Sequence, residues 1–319
     1  MIMENTEKGL FENIDLPGIY KRRRIVNAFM LGLSGLATLL AVVPLVWITV
    51  YVLFKGSSYI NLDFFIHFPQ PMGMSGGGVL HAIEGTFVMV VIASIMSIPL
   101  AILAANYLLL YPNNLISNAV RFSTDLLSGV PSIVIGLFGY AVIVVVQKHY
   151  SAMAGGVVLA IIMLPVMLRA TEEMLKLVPK ELREGALALG SPEWKASLSV
   201  ILPASAEGVI TGIMLAIARA IGETAPLLFT ALGNDNYDIA KFIQQGITYH
   251  QSFGEILGKI LGQPTDALPL TLWKYAQQPY PERVEQSWAV AMVLMLFVLL
   301  LNIAARLWLS YRQRQTHAK

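Results

Sequence analysis

Apolar residues run along this chain in long blocks separated by short polar stretches. Six blocks stand out, at roughly 26–54, 85–110, 122–147, 152–174, 204–233 and 287–309. Each has the length of about 20 residues that a helix needs to cross the hydrocarbon of a bilayer. Lipid offers backbone N–H and C=O groups no outside partner, so all six are predicted to be helices. The expected fold is an all-α integral membrane protein with six transmembrane helices. Pro131 and several glycines interrupt the third block, which is the least regular. The pattern divides the chain into a tail (1–24), a first span (25–54), a membrane domain (80–308) and a second tail (309–319). Residues 1–20 carry no interpretable motif.

Composition supports this picture. Hydrophobic residues make up 56% of the chain and charged residues 13%, and mean hydropathy is +0.64, outside the range of soluble domains. The run after Lys21-Arg22-Arg23-Arg24 is too long for the core of a secretory signal, and is read as a retained span. The chain has no cysteine, which excludes disulfides and thiolate metal sites. A net charge of +2 gives no reason to expect nucleic-acid binding.

Most of the 22 basic residues fall on one side of the six blocks. They include Lys8, Lys21 to Arg24, Arg121, Arg169, Lys176, Lys180, Arg183, Lys195, Arg306, Arg312, Arg314 and Lys319. Lys55, Lys148, Lys241, Lys259, Lys274 and Arg283 fall on the other. The bias predicts that both termini and the segment 175–203 face the cytoplasm.

That segment holds Glu184-Gly185-Ala186-Leu187-Ala188-Leu189-Gly190 and, after nine intervening residues, Val200-Ile201-Leu202-Pro203. Pro179 is suited to the start of a short helix and Gly190 to its end. Ser191 is predicted to cap a second helix, with Pro192 in its first position. The product is an elbow with a small-residue face, a docking surface rather than a catalytic site.

Inside the fifth block stand Arg219 and, four residues on, Glu223, with Gly222 and Pro226 to either side of the latter. A cation at mid-membrane costs about 2.5–3.5 kcal/mol on insertion scales. Two readings stand side by side: the pair satisfies itself, or Arg219 faces an aqueous cavity and offers its fork to an oxyanion. Arg169 is either a second positive step or a charge anchor at the membrane surface. Hydrogen phosphate donates as well as accepts hydrogen bonds, whereas sulfate only accepts. A carboxylate beside the arginine therefore favours protonated oxyanions.

The elbow spacing resembles the coupling motif of ABC importer permeases, with Gly185 and Val200 in place of the commoner Ala and Ile. Arg219-Ala220-Ile221-Gly222-Glu223-Thr224-Ala225-Pro226 and Leu127-Ser128-Gly129-Val130-Pro131-Ser132 resemble spans of the phosphate-specific permeases, A-type (PstA-like). The resemblance covers most of residues 80–308. It implies the type-1 ABC importer fold, with Glu184, Gly185, Ala186, Gly190, Leu202 and Pro203 at the contact with an ATPase. It also implies that Arg169, Arg219 and Glu223 belong to the transport path. The implied partners are a C-type phosphate permease subunit, two ATPase subunits and a periplasmic phosphate-binding protein. Inorganic phosphate is the implied cargo. The binding protein is expected on loops 55–80 and 234–286. No cofactor is expected in this chain, because it lacks a G-x-x-x-x-G-K-[ST] loop; ATP and magnesium belong to the ATPase.

Other readings are a permease for sulfate or molybdate, or an ATP-independent carrier or membrane enzyme, which leaves the elbow unexplained. The five histidines show no metal-binding spacing, and His81 with Glu84 is read as an interfacial anchor. Gln244, Tyr249, Trp273 and Tyr275 either meet a partner or cover the pore mouth.

Overall fold

The computed structural model describes residues 16–71, 74 and 76–317. Lys8, Lys319 and residues 1–15 of the first tail lie outside them. Among the described residues the elements are helices, with two isolated β-bridges and no strand. The chain forms two compact units, Met1–Phe54 and Lys55–Lys319.

The first unit carries α1, Leu16–Gly56, whose last two residues belong to the second. Its apolar side chains are almost all exposed. Within it the hydroxyls of Thr38 and Thr49 donate to the carbonyls of Ser34 and Leu45, both at 2.8 Å. Each is thereby satisfied inside its own helix.

The second unit contains α2 (Leu62–Ile66), α3 (Leu80–Leu110), α4 (Leu115–Gly129), α5 (Ser132–Gly139), α6 (Ala152–Lys176), α7 (Lys180–Ala188) and α8 (Glu193–Ala196). After these come α9 (Ala206–Ile221), α10 (Ala225–Thr230), α11 (Ile239–Thr248), α12 (Phe253–Gly262), α13 (Leu268–Ala276) and α14 (Pro281–His317). By length and composition α1, α3, α6 and α14 can each cross a membrane. The number rises to six if each of two bent pairs counts as one span: Leu115–Gly129 with Ser132–Gln147, at 104°, and Glu193–Ala204 with Ala206–Ile221, at 77°.

The irregular third block is therefore a broken span. Val130 takes extended dihedrals (φ −73°, ψ 129°) because the ring of Pro131 disfavours helix at the residue before it. A π-helical turn at Tyr140–Val144 then carries the chain on to Gln147.

Buried α6 is the centre of the unit. Glycines let its neighbours approach closely, as small residues do between membrane helices. Gly155 and Gly156 lie against Met89 and Ile92 of α3, and further along the Ser97 hydroxyl points at Met167 Sδ, 3.6 Å away. These pairs rise together in number, so α3 and α6 run parallel. On another face Gly212 of α9 meets Ala170, and Gly208 meets Met174, so α9 runs antiparallel to α6.

Residues 234–280 are helical rather than loop. Asp238 caps α11 by accepting from the N–H of Lys241, and Ser252 with Glu255 forms a capping box on α12. α13 docks on α3 where the N–H of Leu268 donates to Thr86 Oγ1 at 2.9 Å.

Candidate functional site

The elbow is α7 and α8 with the turn between them. Gly190 has φ +83°, a left-handed conformation that glycine adopts without a Cβ clash. The N–H of Gly190 donates to Leu187 O at 2.9 Å and that of Ser191 to Ala186 O at 3.2 Å, the two bonds of a Schellman cap. Pro179 occupies the N-cap of α7 rather than its first turn. The expected Ser191 cap does not form; Pro192 sits at the N-cap of α8 and Glu193 begins the helix. Proline stays just outside the helix, where its extended ψ of 152° is allowed.

The motif then passes through a second π-helical turn, Ser197–Ile201, which ends with the N–H of Leu202 on Ser197 O. Single-turn π-bulges are frequent at functional sites, and this one delivers the chain to Pro203 within a three-residue helix, Leu202–Ala204. Arg183 Nη2 lies 3.1 Å from Glu193 Oε1, bracing the elbow across its turn. The buried Ser197 hydroxyl donates to Asn106 Oδ1, seating the elbow on the end of α3. Of the motif residues, Glu184, Gly185, Gly190 and Pro203 are exposed, while Ala186 and Leu202 are half-buried. Leu189 is 90% exposed and Trp194 60%, an apolar edge pointing away from the bundle.

Arg219 ends α9. Its Nε is 3.5 Å from Glu223 Oε1, with the guanidinium side 47% exposed and the carboxylate side 15%. The pair forms, but not across one continuous helix. α9 stops at Ile221, and the N–H groups of Gly222 and Glu223 fold back on the carbonyls of Arg219 and Ala220. α10 restarts at Ala225 with Pro226 in its first turn, where proline's missing donor is harmless. Gly136 of α5 abuts Pro226, so the broken third and fifth spans meet beside the charged pair.

Arg169 of α6 is held by Asp125 of α4, its Nη2 donating to Oδ1. From the register of Ala170 against Gly212 and Met174 against Gly208, Arg169 and Arg219 lie about 9 Å apart along the axis at 1.5 Å per residue. Next to Arg169 is a cluster that sequence reasoning missed. Glu172 is fully buried, with its Oε1 2.8 Å from Arg121 Nη2 and 2.9 Å from Lys176 Nζ. Arg121 also donates to Pro112 O at 2.9 Å. The signal was there: Arg121 with Asp125, and Arg169 with Glu172, Glu173 and Lys176, share helix faces at i, i+3 and i+4.

Residues 97–312 match the family described as binding-protein-dependent transport system inner membrane component. The chain belongs to this family. It is 39% identical over 89% of its length to the phosphate transport system permease protein PstA of Yersinia pestis, covering 90% of that protein. To the protein of the same name from Pasteurella multocida it is 38% identical over 92%, covering 97% of the relative. A solved chain of the inward-facing MetNI methionine ABC transporter superposes with a TM-score of 0.50 at 16% identity, over 72% of this chain and 91% of that one. The fold is thus that of a type-1 ABC importer permease, and the protein is a multi-pass membrane subunit of a transport complex.

At the far end of the bundle the structure corrects two expectations. His81 is no interfacial anchor: it is wholly buried at the start of α3, with Asp235 and Asp266 beside it. Glu84 accepts from the N–H of Ile239 at 2.9 Å, tying α3 to α11. Tyr275 is 3% exposed under the guanidinium of Arg283, 4.7 Å from its ring, and cannot meet a partner. Its hydroxyl, buried first of all, is pushed up to about 12. Gln244, Tyr249 and Trp273 are exposed.

Proposed function

We propose that this chain is the A-type permease subunit of an ATP-driven importer that moves inorganic phosphate from periplasm to cytoplasm by alternating access. The observation that carries the reading is Arg219. Its cation stands at a helix break inside the membrane domain, partly exposed, with one carboxylate near it rather than around it. A guanidinium so placed attracts an oxyanion, and Glu223 accepts the hydroxyl proton that hydrogen phosphate carries and sulfate lacks. Few charges also suit release, since binding in a conduit must stay weak. The relatives named as phosphate transport permeases support the same cargo.

Arg169 is the second positive step, about two turns nearer the elbow. Asp125 already occupies it, so an anion arriving there has to compete with an internal carboxylate. The elbow is the lever. Glu184, Gly185, Ala186, Gly190, Leu202 and Pro203 shape it, and the apolar edge of Leu189 and Trp194 enters a groove on an ATPase that supplies ATP and magnesium chemistry. The complex contains a C-type partner permease, two ATPases and a periplasmic phosphate-binding protein that docks on the face formed by α11 to α13. Both termini and the elbow lie in the cytoplasm, and 80–308 is the membrane domain proper.

Uptake of radiolabelled phosphate with competing sulfate tests the reading. Arg219→Gln and Glu223→Gln are expected to reduce uptake, and Glu223→Gln to raise inhibition by sulfate. Full uptake in both variants, or equal competition by sulfate in the unaltered protein, overturns it.

A further inference from the structure

The first turn of α3, the turn after α10, the segment before α13 and α13 itself bring His81, Asp235, Asp266 and Lys274 together. His81 and Asp266 are both 0% exposed. His81 Nε2 lies 3.5 Å from Asp266 Oδ2 and 3.8 Å from Asp235 Oδ1, and neither ring nitrogen has a hydrogen-bond partner among the described residues. A buried polar nitrogen left without a partner is costly, so an imidazole aimed at two carboxylates and bonded to neither needs a reason. Lys274 Nζ reaches both acids, at 2.9 Å from Asp235 Oδ1 and in direct contact with Asp266 Oδ2.

We propose that His81, Asp235 and Asp266 form a site for a divalent transition-metal ion of the zinc class, and that the Lys274 ammonium is a built-in cation which the ion displaces. One ligand atom from each of the three residues lies within 4.8 Å of the other two. An ion bound tetrahedrally at about 2.0–2.2 Å separates its ligand atoms by roughly 3.3–3.6 Å, close to the two His81–carboxylate distances already in place. The donor set, one imidazole and two carboxylates with a fourth position open to water, suits zinc. Magnesium and calcium favour six or more oxygen ligands and gain nothing from the ring.

Charge points the same way. Asp235 and Asp266 supply two negative charges, which a divalent ion that displaces Lys274 balances. Asp266 is wholly buried between His81 and Lys274. Its Oδ1 accepts from the N–H of Ala267 at 2.8 Å, which fixes its orientation as outer partners do around metals. Access is on one side only: Asp235 is 54% and Lys274 26% exposed. Gly85 faces Thr265 and Asp266, where any Cβ would push this segment off α3. An ion here would pin the segments after α10 and before α13, which also meet at the Leu232–Thr265 bridge, onto α3.

Titration of the purified complex in nanodiscs with zinc chloride, read by calorimetry and by thermal unfolding with magnesium as control, tests this. One zinc per chain is expected, weakened roughly ten-fold or more in Asp235→Asn. Lys274→Met, which removes the competitor, is expected to bind zinc more tightly and to regain on zinc addition the melting temperature it loses without it. His81→Ala should abolish binding, but because that buried change can prevent folding, the two exposed-side variants decide. Equal zinc binding in Asp235→Asn and the unaltered protein overturns the proposal. So does a Lys274→Met protein that zinc does not bind or stabilise, since the cluster would then be an ion-paired latch only.

Discussion

Arg169 of α6 and Asp125 of α4 are bonded side chain to side chain, and the bond gives this arginine an internal anion as its resting partner. Both groups are well exposed, at 40% and 58%, so the pair is worth no more than about 1 kcal/mol. That is small enough for a substrate anion to displace. Asp125→Asn is expected to lower the apparent KM for phosphate by up to about five-fold, the equivalent of that energy, with little change in folding. Initial-rate uptake across a range of phosphate concentrations checks this; a raised KM would show that Asp125 orients Arg169 instead.

Glu172 behaves differently because it is buried. Arg121 and Lys176 both contact its Oε1, and removing one partner of a buried pair costs about 3–5 kcal/mol, less here because the other cation stays. Arg121→Met is expected to lower the thermal stability of the complex clearly, and Arg121→Met with Glu172→Met to recover much of the loss. A double variant no better than the single one would mean that the contacts of Arg121 to Pro112 and along its stem dominate.

At the elbow, Gly190→Ala isolates backbone conformation from packing. Nothing lies within 4 Å of the added Cβ, so the only penalty is holding an L residue at φ +83°, about 1–2 kcal/mol. The Schellman cap is expected to loosen, and uptake to fall more than the amount of complex in the membrane. Co-purification of the ATPase with the variant, alongside uptake, separates failed docking from failed assembly. Unchanged uptake would remove the rigid turn from the coupling step.

How far the fold could be read from residues depended on scale. The membrane blocks were legible because twenty-residue apolar runs carry a strong, local signal, and the elbow because Gly190 and its flanking prolines act within a few residues. The break after Ile221 was foreshadowed by Gly222 and Pro226, but that Glu223 would pair from beyond the helix end was not. What escaped was everything that depended on distance. Asp125 and Arg169 are forty-four residues apart, and His81 and Asp266 far more, so no spacing rule brings them together. The helices of 234–280 were a different failure: Asp238 and the Ser252/Glu255 box were signals in plain view, overshadowed by the hydropathy of the spans on either side.

Two glycines near the charged pair separate packing from local helix geometry. A Cβ at Gly136 would drive into the backbone of Pro226, which cannot move without displacing α10 and the turn that carries Glu223. At Gly222 the nearest atom is a carbonyl 3.5 Å away and φ is −86°, which any residue adopts. Gly136→Ala is therefore expected to destabilise the fold by about 1–3 kcal/mol, as overpacking does, and to depress phosphate uptake. Gly222→Ala should leave both nearly intact. Thermal unfolding and uptake on the two variants side by side check the contrast. If Gly222→Ala is the more damaging, the break needs glycine for close approach of the anion, and the meeting of the two broken spans matters less than the backbone beside Arg219.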